Sequence, residues 1–102
     1  MNVEDSFERL VAAGIELLRL PSLQTHFVFH RDGFAALVER TASGFGGIGA
    51  AGLLTGKGLA PLVWRGERPV FAGKGSEQAA STEQVDSLRR FAADLEKCLR
   101  GA

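Results

Sequence analysis

Thr41-Ala42-Ser43-Gly44-Phe45-Gly46-Gly47-Ile48-Gly49-Ala50-Ala51-Gly52-Leu53-Leu54-Thr55-Gly56-Lys57-Gly58 carries seven of the chain's 13 glycines and one charge, Lys57. Glycine is entropically costly to order and gives no side chain to pack. So dense a cluster implies that the backbone closely approaches a ligand, approaches another chain, or forms a mobile connection. The ligand reading places Gly44, Gly46, Gly49, Gly56 and Lys57 around an anion such as a phosphate or nucleotide. The interface reading places Phe45, Ile48, Leu53 and Leu54 against a partner. Small residues let backbones come close, and an exposed apolar strip marks an interface.

Two phosphate-binding patterns are approached within the segment, and neither is completed. Gly44, Gly46 and Gly49 have the G-x-G-x-x-G spacing of dinucleotide-binding folds. The strand expected before them alternates in polarity, unlike a buried parallel strand, and no long helix follows. Gly52 to Gly58 approaches the P-loop pattern, but Gly58 stands where the metal-binding hydroxyl belongs, which removes a ligand of the magnesium ion.

Working outward, residues 25 to 40 read as a β-hairpin around Asp32-Gly33, a pair suited to a two-residue type I′ turn. That turn sets the register. Arg31 faces Phe34, Phe29 faces Ala36 and Phe27 faces Val38 on the expected core surface. His30 faces Ala35, Val28 faces Leu37 and His26 faces Glu39 on the other. His26 with Glu39 is then a surface pair. Two histidines four apart on a strand stand about 13 Å apart and cannot share a metal ion. Residues 59 to 73 read as a second hairpin around Gly66-Glu67. Pro61 and Pro69 lack amide donors, so its strands are expected to be short or at an edge. Residues 73 to 80 read as a polar loop.

Helices close both ends. Val3, Phe7, Leu10, Gly14 and Leu17 recur at spacings of four and three, so residues 3 to 19 read as an amphipathic helix with Val11, Ile15 and Leu18 widening its stripe. Asn2 is its N-cap, and Pro21 prevents its continuation. Ser81 and Gln84 match a capping box ahead of the stripe Val85, Leu88, Ala92, Leu95 and Leu99. Asp86 with Arg90 and Glu96 with Arg100 are acid-before-base pairs four apart, and Gly101 is a natural stop. The expected fold is α+β, an antiparallel sheet of two hairpins flanked by N- and C-terminal amphipathic helices, in a single domain of 1–102.

Twelve basic and twelve acidic residues give zero formal charge, which argues against phosphate-driven nucleic-acid binding. An acidic N-terminus and the absence of a long apolar run lead to the expectation of a cytoplasmic protein without membrane contact. Cys98 is the sole cysteine, allows no internal disulfide, and sits on a helical stripe where it acts as a small hydrophobe. No catalytic residue, metal ligand or cofactor is indicated. The expected partners are another protein or a second copy in a homodimer.

The runs Leu17-Leu18-Arg19-Leu20-Pro21-Ser22-Leu23 and Phe27-Val28-Phe29-His30-Arg31-Asp32-Gly33 resemble the opening of Roadblock/LC7 domains. The closing helix around Leu88 to Leu95 is similar to that family's last element. The middle departs, with glycines where the family carries a second helix. The resemblance implies a dimeric, non-catalytic module that docks onto small GTPases or motor complexes.

Overall fold

A computed structural model describes residues 3–18, 25–42, 44–55, 58–73 and 76–100. Asn2, the Leu20-Pro21 turn, Gly56, Lys57, Lys74 and Gly101 lie outside them. The order is α1 (Val3–Ala12), β1 (Glu16–Leu18), β2 (His26–Arg31), β3 (Phe34–Thr41), β4 (Gly44–Thr55), β5 (Gly58–Arg65), β6 (Arg68–Gly73), β7 (Ser76–Ala79) and α2 (Thr82–Arg100). All seven strands form one antiparallel sheet in sequence order. The expected pair of hairpins between flanking helices is therefore corrected to an open seven-stranded meander, mostly sheet, with a helix at each end.

Three elements were hidden in other readings. The first helix stops at Ala12 rather than running to 19. Gly14 takes φ 75°, its amide bonds to Val11 O at 3.0 Å, and the Ile15 amide bonds to Leu10 O at 2.9 Å. This pair of bonds is a Schellman stop, completed by contact between Leu10 and Ile15, both buried. Gly14 punctuates the helix instead of belonging to its stripe, and Val11 is 77% exposed. Glu16–Leu18 then pairs with β2. At the other end, Ser76–Ala79, within the expected polar loop, pairs with β6.

The third correction concerns the glycine-rich segment, which is a twelve-residue strand. Along β3, Ala36, Val38 and Arg40 face Ala51, Ile48 and Phe45. Steps of two on β3 meet steps of three on β4, so each interval holds one extra residue, a β-bulge. The bulges bring Phe45, Ile48 and Ala51 onto one face despite their spacing of three. Gly46–Gly47 and Gly49–Ala50 fill the intervals.

The hairpin around Asp32-Gly33 forms with every expected facing pair, and both turn residues have positive φ, 53° and 86°. The second hairpin also forms, with Gly66 at φ 69°. Its strands are not at the sheet's outer edge, and Pro61 marks a handover instead. β5 pairs with β4 over Gly58–Pro61 and with β6 over Leu62–Arg65.

Both helices cover one face. Leu10 from α1 and Leu88, Phe91, Leu95, Cys98 and Leu99 from α2 meet Phe29, Phe34, Ala36, Val38, Ala60 and Phe71 of the sheet in one apolar cluster. The capping box is present in both directions, Ser81 N to Gln84 Oε1 at 2.9 Å and Gln84 N to Ser81 Oγ at 3.0 Å. Arg9 donates to Cys98 O at 2.9 Å, placing a cation at the C-terminal end of α2, where the helix dipole favours it. Glu96 and Arg100 pair at 2.9 Å.

Candidate interaction surface

Alternation along each strand assigns the second face of the sheet. Leu18, Val28, Leu37, Leu54, Val63 and Val70 point away from the helices, and none belongs to the helix-side cluster. Val28 and the neighbouring Ala35 are nevertheless buried, at 4% and 0% exposure, while the other five are partly exposed. Among the described residues, no helix or strand packs on this face. An antiparallel sheet with one solvated face ordinarily alternates apolar inward with polar outward. Here the outward positions over the middle of the sheet are aliphatic. Charged groups on this face stand toward strand ends: Glu16 lies 3.9 Å from His30, Arg65 lies 3.1 Å from Glu77, and Glu39 and Arg68 are exposed.

The sequence-derived site residues divide between the two faces. Phe45, Ile48 and Leu53 pack against the helix-side cluster. The Phe45 ring lies 5.7, 5.1 and 5.8 Å from those of Phe7, Phe27 and Phe29. Only Leu54 of the four stands on the uncovered face, opposite Leu59.

Gly44, Gly46 and Gly49 are strand residues. Anion cradles need successive amides that converge, whereas amides along a strand alternate between its two edges. What these glycines make room for is the neighbouring backbone. A Cβ at Gly46 would stand 2.9 Å from Glu39 Cβ, and one at Gly52 would run into the Ala60 carbonyl oxygen and lie 2.6 Å from Pro61 Cα. The close approach inferred from sequence is present, within the chain itself.

His26 faces Glu39 as the turn dictates, and its Nδ1 is 2.9 Å from Thr25 Oγ1. No group of three or more potential metal ligands is found among the described residues. Arg31 and Arg90 border a hollow of about 240 Å³ with Asp32, Phe34, Ser87 and Phe91. The Arg31 guanidinium is already committed, donating to Ala13 O at 3.1 Å and Asp94 Oδ2 at 3.0 Å and lying 5.6 Å from the centre of the Phe91 ring. It ties the end of α1 to α2 and the sheet. Cys98 is buried, and desolvation pushes its thiol pKa above 9.0, with Arg9 opposing. A thiol held protonated is a poor nucleophile.

The uncovered face was only partly readable beforehand. Leu54, Val63 and Val70 are visible as apolar residues, but their side of the sheet depends on bulges and a strand handover that no pattern announces. No described helix is long and apolar enough to cross a membrane. Comparison with family models, with curated proteins and with solved structures returns no match for this chain.

Proposed function

We propose that this protein acts by association rather than catalysis: it forms a homodimer and offers the helix-free face of its sheet to a protein partner. The observation that carries this reading is the aliphatic character of that face at Leu37, Leu54, Val63 and Val70, opposite a face already buried by two helices. Contiguous apolar surface that a fold leaves open marks a contact site. Zero formal charge removes the self-repulsion that keeps copies apart. The Roadblock/LC7 resemblance implies the same class of role, a dimeric docking module.

Static light scattering at tens of micromolar tests the dimer, and a strict monomer would contradict it. The face is tested by Val63→Glu with Val70→Lys, an opposed pair in register whose charges compensate one another. The double variant keeps its circular dichroism and loses at least half of the native protein's enhancement of an apolar-surface dye. Unchanged dye fluorescence in a folded variant would show that this face is not the exposed apolar surface.

A further inference from the structure

We infer that two copies of this chain join along the open edge of β4, antiparallel across a two-fold axis close to Gly47 and Ile48; this rests on the self-association reading above. Among the described residues, Gly44 to Ala51 has a neighbouring strand on one side alone, β3, because β5 pairs only with Gly52–Thr55 and then leaves for β6. Unpaired backbone donors and acceptors along a strand edge are a template for another strand, and folds blunt such edges with charge, proline or brevity. The sheet's two outer edges are blunted in this way. β1 has three residues with Glu16 exposed, and β7 has four, including the exposed Glu77 and Gln78. The β4 edge carries no charge and no proline, and Gly47, Gly49 and Ala50 are exposed. One guanidinium reaches it, from Arg100 to Gly46 O at 3.4 Å.

The occupant best suited to this edge is the same strand from a second copy. In an isologous contact each residue meets its own neighbourhood, so a charged strand would set like charges against one another. A strand without charge is its own acceptable partner. Glycines at 46, 47 and 49 leave the approach free of side chains, and a Cβ at Gly47 would meet nothing within 4 Å. Joined this way about an axis normal to the sheet, the two helix-free faces become one continuous platform.

The test is sedimentation equilibrium of the full chain as wild type, Gly47→Lys, Gly47→Glu, and an equimolar mixture of the two variants, with Val63→Glu as the face control. Gly49→Lys replaces Gly47→Lys should the latter fail to fold by circular dichroism. The inference expects a wild-type dimer, dissociation constants raised at least tenfold in each charged variant, recovery of dimers in the mixture, and a Val63→Glu protein that remains dimeric. A wild-type-like dimer for Gly47→Lys, with Val63→Glu monomeric, overturns the edge and leaves self-association standing on the face. A wild type that is monomeric throughout overturns the edge and the dimer reading together.

Discussion

Gly52 is the residue at which β4 and β5 come closest before they part. Its missing side chain admits the Ala60–Pro61 backbone at the point where β5 leaves β4. Gly52→Ala must push two strands apart, and the expected loss is about 3 kcal/mol, at the upper end for overpacking by one carbon, read from urea unfolding. Gly47→Ala, with open space around its Cβ, should change stability by less than about 0.5 kcal/mol in the same experiment. Equal losses at both positions would mean that a shared intolerance of the strand to side chains, rather than contact, governs these glycines. Phe45 makes the opposite point about an apolar residue in the same segment. Touching three other rings, it belongs to the core, so Phe45→Ala should cost about 3 kcal/mol of folding stability. Cys98 supplies a pH dependence. Its native pKa is raised above 9.0 by desolvation, so above that pH the unfolded chain gives up its proton first and unfolding is favoured. Stability should fall as pH rises past about 9, and Cys98→Ala should flatten that part of the profile.

At the scale of elements, the first helix shows how a local signal can be misassigned. Gly14 fits the spacing of an apolar stripe, and the same residue in the left-handed region ends the helix. Gly14→Ala should cost about 1 kcal/mol by forcing a Cβ into that region, measurable as a lowered denaturation midpoint; no loss would show that the stop is set by Ile15 alone. The Asp32-Gly33 hairpin and the capping box were legible because each is fixed by residues within a few positions of one another. β1, β4 and β7 were not, because what makes them strands lies elsewhere. Three residues at 16–18 and four at 76–79, three of them polar, have no periodicity to read, and they extend because β2 and β6 offer edges. β4 is harder still. Glycine is depleted in strands, and two bulges change the apolar period from two to three, so the segment mimics a phosphate loop while serving as a central strand.

At the scale of the molecule, the separation of the two faces is what the proposed association rests on. One face is closed by α1 and α2, the other is largely aliphatic, and among the described residues Gly44 to Ala51 of β4 has a strand neighbour on one side alone. A radius of gyration of 13.7 Å exceeds the ~12.8 Å of a compact chain of this length, as expected of a sheet open on one side. On that side Arg65 pairs with Glu77, while Glu39 and Arg68 are exposed, and the chain as a whole has no formal net charge to steer a partner. Association built on backbone pairing and apolar contact should therefore respond little to screening. Raising the salt from about 0.05 to 0.5 M shortens the Debye length from about 14 to 4 Å, yet the dimer dissociation constant should change by less than about threefold. The proposed dimer forms only from folded chains, so its reality predicts a thermal midpoint that rises with protein concentration. A dissociation constant that weakens tenfold or more with salt would place ion pairs, and not the uncharged β4 edge, at the centre of the contact.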